Sequence, residues 1–386
     1  MKQENEMIFF RRYHEMKKRL APFRLQTDFE TIKTVASIDA LMDRADVIHN
    51  GNIPGGYILE CPPGLDETNL MQRAQRHLEA LEKGEFPLKG KFTEPGVSLS
   101  DHSVFEKDGK LHVFYNCGKI GYDWPERSVE TIGHAVTSDL LNWEIYPPAI
   151  TISPNSHDCF STWSPSVIYE NGLYYMFYTG VNDYIAQATC LAVSKDLIVW
   201  EKYKANPVYK PGKWCPWNEK RWSDCRDSFV FRAEDGIFYQ FFCTMKKTAE
   251  NKCHNAIGIA SSKDLIHWKD EKQIVFESVG HMAESPFLIY HNKKYYLFYT
   301  NCGKGTCYAT SDHPLGEWKE HGLLIGDLCH EGDLAHVPSC SEVFCFHGKW
   351  YITFATRLPG NEQYLEFAEL IWNEDGSIFV GKRVGD

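Results

Sequence analysis

The chain of 386 residues has no uninterrupted apolar run near the roughly 20 residues that a membrane-spanning helix needs. Its start, MKQENEMIFF, lacks the apolar core of a secretion signal, so a cytoplasmic location is expected and no membrane partner. No Cys-x-x-Cys pair or zinc-ribbon spacing occurs, and the 13 cysteines therefore read as reduced, mostly buried thiols rather than as a disulfide framework. Positive charge is in deficit: 41 Lys and Arg against 52 Asp and Glu give a formal charge of -11. Nucleic-acid binding relies on cations that neutralise phosphates, so no nucleic-acid partner is expected and small neutral ligands stay open.

Tryptophan is missing from the start of the chain; all 11 lie at or beyond Trp124. The first ninety residues or so instead carry helix-like apolar spacing. Met7 to Leu20, Phe29 to Ile48 and Leu70 to Leu81 place apolar residues three and four apart, with Thr27 or Asp28 able to cap the second segment. This predicts a helical N-terminal extension over 1–92 and a separate domain over 93–386. Charges in the extension nearly balance, which argues against a DNA-binding helix-turn-helix. Packing on the flank of the domain and mediating a homodimer are both open to it.

Beyond residue 95 the pattern changes to strands that repeat. An apolar pair leads through a turn to an aromatic-rich strand: Val104-Phe105 through Asp108-Gly109 to LHVFYN, Val167-Ile168 through Asn171-Gly172 to LYYMFYTG, Val230-Phe231 through Asp235-Gly236 to IFYQFFCT. Leu288-Ile289 passes Asn292 to YYLFYTN, and Val343-Phe344 passes His347-Gly348 to WYITFAT. Asx-Gly between alternating β-formers signals a hairpin, because the tight turn needs positive φ. A third strand follows and ends in a tag: TSDLLNW at Trp143, SKDLIVW at Trp200, SKDLIHW at Trp268 and SDHPLGEW at Trp318; the fifth copy keeps only the strand EFAELIW. Ser and Asp close the tag's turn and its Trp caps the sheet edge. The expected fold is therefore all-β, a five-bladed β-propeller.

In a propeller the first strand of each blade runs beside the central axis, so equivalent positions converge. Counting three residues back from the apolar pair gives Asp101, Ser164, Asp227, Ser285 and Cys340, with Glu284 one position earlier in blade four. Three carboxylates from three blades should face one funnel, where repulsion and burial push their pKa values apart. Any one alone reads as a turn residue or a solvated charge; their coincidence points to acid–base chemistry.

Ser-Asp101-His-Ser-Val, Trp163-Ser-Pro-Ser-Val, Arg226-Asp227-Ser-Phe-Val and Glu284-Ser-Pro-Phe-Leu resemble the blade-opening motifs of five-bladed glycoside hydrolases, most like family 43 arabinofuranosidases and β-xylosidases, with the family 32 β-fructosidases related. The resemblance covers about 95–386. It implies that Asp101 is the general base, that Asp227 tunes the acid and orients substrate, and that Glu284 is the general acid. The expected reaction is release of a terminal arabinofuranosyl or xylosyl residue from short oligosaccharides; fructoside hydrolysis and a non-catalytic sugar-binding propeller are the alternatives. Inverting enzymes hold their two carboxyls roughly 6.5 to 9.5 Å apart and retaining ones about 5 to 5.5 Å, so the course is left open.

Substrate contacts are expected from Trp222, from His102, which stands where these families commonly carry Pro and can equally be structural, from Trp163 as a stacking face with a core role as the alternative, and from Arg226, which can instead only hold Asp227 ionised. Trp222 ends a Trp- and Pro-rich loop, Trp214 to Trp222, expected beside the funnel. The Asn-Asp-Pro-Asn-Gly run of the fructosidases is missing, as is room for their C-terminal β-sandwich, which ranks that alternative second. Some pentosidase relatives keep an axial cation near a blade-five His; His336 is the nearest here and Cys340 fills the slot, so no metal and no cofactor is expected. The tag lacks the Gly-x-Thr of a sialidase Asp box.

Overall fold

The computed structural model describes residues 90–94, 97–119, 129–153, 155–248, 253–276, 278–279, 282–302, 304–326, 338–357 and 363–386. The expected helical extension lies outside the described residues apart from its last three. Every regular element among the described residues is a strand.

A short strand β1 (Lys91–Phe92) comes first, followed by blade one, β2 (Val97–Lys107), β3 (Lys110–Lys119), β4 (Val129–Thr137) and β5 (Glu144–Thr151). Blade two is β6 (Ser161–Glu170), β7 (Leu173–Val181), β8 (Gln187–Ser194) and β9 (Trp200–Lys202). Blade three is β10 (Cys225–Arg232), β11 (Phe238–Lys247), β12 (Cys253–Ser262) and β13 (Trp268–Ile274). Blade four is β14 (Ala283–His291), β15 (Lys294–Asn301), β16 (Gly305–Ser311) and β17 (Lys319–Ile325). Blade five has β18 (Ser339–Phe346), β19 (Lys349–Arg357), β20 (Gln363–Trp372) and β21 (Ile378–Arg383). Each sheet is an antiparallel meander, and β2, β6, β10, β14 and β18 pack in a closed cycle around the axis. The five-bladed propeller expected from the repeats is present.

The ring closes by sharing an edge. β1 and β21 lie along the same side of β20, β1 opposite Leu365 and Glu366 and β21 opposite Ala368 to Trp372. Lys91 and Phe92, the two residues ahead of the expected boundary at 93, thus belong to blade five. Buried Glu366 ties both strands down: Lys91 Nζ stands 3.3 Å from Oε1, Arg383 donates to Oε2 at 2.8 Å, and Tyr364 donates to Oε1 at 3.1 Å. Gly90 turns the chain into β1 with φ 72°, and a Cβ there would stand 1.8 Å from the carbonyl oxygen of Val384, so only glycine fits.

The tags build the joints between blades. Oγ of Thr137, Ser194 and Ser262 accepts from the N–H of Leu140, Leu197 and Leu265, each at 3.0 Å. Oδ1 of Asp139, Asp196 and Asp264 takes the next two amides. Those bonds hold the three leucines buried at φ 62°, 73° and 66°, against the preference of a branched side chain. The tryptophan that follows fills the gap to the preceding blade rather than only capping its own edge. Trp143 meets Phe92 and Phe367 of blade five, Trp200 meets Phe114, Trp268 meets Phe177, and Trp318 meets Phe241.

Candidate active site

All five innermost strands carry a β-bulge where they approach one end of the axis. The extra residue pairs are Ser100 and Asp101, Ser164 and Pro165, Asp227 and Ser228, Ser285 and Pro286, and Cys340 and Ser341. A bulge breaks strict alternation and re-aims side chains, here toward the axis. Ser164, Asp227, Ser285 and Cys340, the first bulge residues of blades two to five, take left-handed φ of 50°, 57°, 47° and 57°. Such strain persists where the surroundings fix it. Here the preceding blade does so: the N–H of Ser164 donates to Asn116 Oδ1 at 2.8 Å, that of Asp227 to Thr179 Oγ1 at 3.0 Å, and that of Cys340 to Thr300 Oγ1 at 2.9 Å. Blade three has Cys243 at the ladder position of Thr179 and Thr300, and the Ser285 N–H instead donates to Asp227 Oδ2 at 3.1 Å.

Blade one differs by one residue. Its bulge lies a step earlier relative to the apolar pair, so Asp101 is the second bulge residue and not the first. Its carboxylate still reaches the axis. Ser285 Oγ donates to Oδ1 at 2.8 Å, Cys340 Sγ to the same oxygen at 3.0 Å, and Asn116 Nδ2 to Oδ2 at 3.2 Å. Three blades thus orient Asp101.

Asp227 and Glu284 share a guanidinium. Arg226 donates to Glu284 Oε1 at 2.5 Å, its Nε lies 3.7 Å from Asp227 Oδ2, and Nη1 reaches Asp224 Oδ1 at 2.5 Å and Gln187 Oε1 at 3.3 Å. Burial, reinforced by the negative charge of Asp101, pushes Asp227 up to about 7; Arg226 and the 2.7 Å bond from Ser164 Oγ oppose the rise, and Glu284 adds to it. The structure brings Asp101, Asp227, Glu284 and Arg226 into one network. Asp101 and Asp227 also line an axial cavity with His102, Ser166, Phe229 and Glu342, while Glu284 joins from outside that wall.

The remaining expected contacts sit on and behind the cavity wall. His102 faces the axial cavity and is only 4% exposed; burial outweighs a hydrogen bond to the Ser100 backbone and lowers it to about 3, so it is neutral. Trp163 and Trp222 are 4% and 7% exposed and pack in one apolar cluster with Phe160, Val181 and Ile185. That cluster backs the site, since Trp222 Nε1 donates to Asp224 at 3.3 Å. Cys340 sits on Asp101 as described, and His336 lies outside the described residues.

Sequence reasoning places Ser285 on the axis without a role and passes over Asp224, Asn116 and Cys302. Asp224 had a signal: it stands two residues before Arg226 in an extended run, on the same side. Cys302 donates to Glu284 Oε2 at 2.8 Å and follows β15, with no motif around it. Glu342 occupies the ladder position before the apolar pair, as Ser166 does, and holds blade one: the Val104 N–H donates to its Oε2 at 2.7 Å, much as the N–H groups of Val167 and Val230 donate to Ser103 and Ser166.

Comparison with known proteins adds to this geometry. The family model described as the glycosyl hydrolases family 32 N-terminal domain matches residues 101–313, more than half of the chain. The chain is 28% identical over 207 residues to an insoluble β-fructofuranosidase isoenzyme of Arabidopsis thaliana, 52% of this chain and 32% of that protein. It is 34% identical over 109 residues to the vacuolar acid β-fructofuranosidase 1 of a Rosa hybrid cultivar, 27% of this chain and 18% of that one. The matches thus span less than a third of either relative. In three dimensions it is similar to a thermostable family-43 glycoside hydrolase, with TM-score 0.60, 17% identity and coverage of 75% of this chain and 95% of that one.

Proposed function

The chain belongs to glycosyl hydrolase family 32 through the N-terminal domain of that family, and on that premise we propose that it hydrolyses a terminal furanosyl residue, a fructofuranosyl group first, from a short oligosaccharide. The observation that carries this reading is the meeting of Asp101, Asp227 and Glu284, from three blades, around Ser285 and Arg226. Glycoside cleavage needs an acid at the leaving oxygen and a second carboxylate that either attacks the sugar carbon or activates water there.

In this mechanism Asp101 attacks the anomeric carbon through Oδ2, which takes one donor where Oδ1 takes two. The glycosidic C–O bond breaks as Glu284 gives its proton to the leaving oxygen, leaving a sugar ester on Asp101. Glu284, now a carboxylate, takes a proton from water, whose oxygen attacks the same carbon and frees Asp101. Asp227 accepts sugar hydroxyls as its carboxylate. Because Arg226 pairs with Glu284, the incoming leaving group must displace that contact before the acid can work.

A second reading, release of a terminal arabinofuranosyl or xylosyl residue, uses the same three carboxylates. The absence of an Asn-Asp-Pro-Asn-Gly run and the presence of His102 after Asp101 favour it. The full chain should be assayed on sucrose, fructo-oligosaccharides, and nitrophenyl arabinofuranoside and xyloside, with Asp101→Asn as the inactive control. Fructose release supports the first reading and pentose release the second. Tight sugar binding by calorimetry without turnover across the whole panel would replace both with a binding propeller.

A further inference from the structure

Both oxygens of Glu284 are engaged, one of them by a thiol. Arg226 takes Oε1 at 2.5 Å and Cys302 donates to Oε2 at 2.8 Å. Cys302 is the residue after β15, and its N–H donates to the carbonyl of Met282, the residue before β14, at 3.2 Å. The backbone that aims the thiol is thus tied to the strand that carries Glu284, two residues from it. Behind the pair lies a sulfur-rich apolar cluster of Cys243, Met245 and Met282, with Cys253 and Cys302 packed against it.

We propose that Cys302 is a positioning residue for Glu284, its S–H fixing Oε2 as the acceptor so that Oε1 is the oxygen that carries and delivers the proton. This rests on the reading of Glu284 as the acid. A carboxyl group that alternates between acid and base needs a partner that suits both forms. Arg226 suits only the carboxylate, whereas a neutral, weak S–H donor can bond Oε2 whether or not Oε1 is protonated. Burial, followed by the negative charge of Glu284, drives the thiol well above its ordinary value, so it stays S–H and acts as a donor rather than a nucleophile.

The test uses Cys302→Ala and Cys302→Ser in the full chain. With an oligosaccharide whose leaving group is poor, Cys302→Ala should lower kcat roughly tenfold, as expected for one lost bond to a charged group. An activated aryl glycoside, which needs little protonation, should lose less than about twofold, and the pH profile of kcat should shift. Cys302→Ser, which keeps a donor, should recover most of the loss and the wild-type pH profile. Equal losses on both substrates, or a serine variant as impaired as the alanine one with an unmoved pH profile, would overturn the proposal.

A second readout needs no turnover. The S–H stretching band of Cys302, isolated as the infrared difference between the wild type and Cys302→Ser, should move to the free-thiol position in Glu284→Ala. If it does not, the contact is absent and the proposal fails, even in an active enzyme. If it does while no glycoside is cleaved, the positioning contact stands and the hydrolase reading is what fails.

Discussion

The hydroxyl of Ser285 donates to Oδ1 of Asp101 at 2.8 Å although the two residues stand 184 positions apart. Its N–H also donates to Asp227 Oδ2, and its peptide neighbour is Glu284. One residue therefore touches or adjoins all three carboxylates. Ser285→Ala keeps the backbone bond to Asp227 and removes the hydroxyl contacts to Asp101 and to Cys340 Sγ. The expected outcome is a fall in kcat of roughly tenfold with a change in stability of about 1 kcal/mol or less, read by steady-state kinetics and thermal melting. Unchanged kcat would mean that Asp101 needs no help from blade four.

Arg226 works against the rise of Asp227 to about 7, which burial and Asp101 cause. Replacing it by Gln removes that opposition, so Asp227 must titrate at still higher pH. If the ionised form of Asp227 is the working one, the acid limb of the kcat/KM profile moves upward in Arg226→Gln, and the activity left is largest on the alkaline side. A limb that stays in place, measured over pH 5 to about 9, would remove Asp227 from that role.

Glu342 gives a stability effect separable from activity. Burial raises it to about 8 from the ordinary 4.5, against the bonds from Val104 and Ser103. A carboxyl with a raised folded value binds its proton more tightly in the native state. Its contribution is thus full below 4.5 and is lost as pH climbs through about 8. Glu342→Gln keeps an acceptor for Val104 and never ionises. Its melting temperature should exceed that of the wild type at pH 8, and the gap should close at about pH 5. His102 works in the opposite sense: burial lowers it to about 3 from 6.5, so its share of stability is lost as pH falls through that interval.

Closure of the ring can be tested at its clasp. Phe92 is fully buried in the joint between blades five and one, where it meets Trp143 at 4.5 Å. A chain beginning at residue 93 should lose about 1.5–3 kcal/mol for that side chain alone, plus the β1 ladder, relative to one beginning at 90. Glu366→Gln should cost a further share, about 1–3 kcal/mol, because its cations are partly exposed and keep some hydration. Equal melting temperatures for the two truncations would show that β21 alone completes blade five.

Blade number, hairpins and the convergence of three carboxylates on the axis were legible in the order of residues alone. Asp108-Gly109 and Asn171-Gly172 mark turns through local φ demands, and YYMFY and YYLFY run without polar interruption, as strands covered on both faces do. Those are local properties, readable wherever a few neighbours settle the conformation. The same counting found Asp101, Asp227 and Glu284, because a repeated fold turns equal offsets into proximity. It could not see that the bulge of blade one is shifted by a residue, since a bulge depends on the partner strand. Nor could it see that Trp163 and Trp222 spend their faces on each other's cluster, that β1 completes blade five, or that Cys302 sits on Glu284. Each of these is a contact between segments that only packing brings together. Burial then fixed the charge states, holding Asp227 near 7 and Glu342 near 8 where the amino-acid types alone imply ordinary carboxylates.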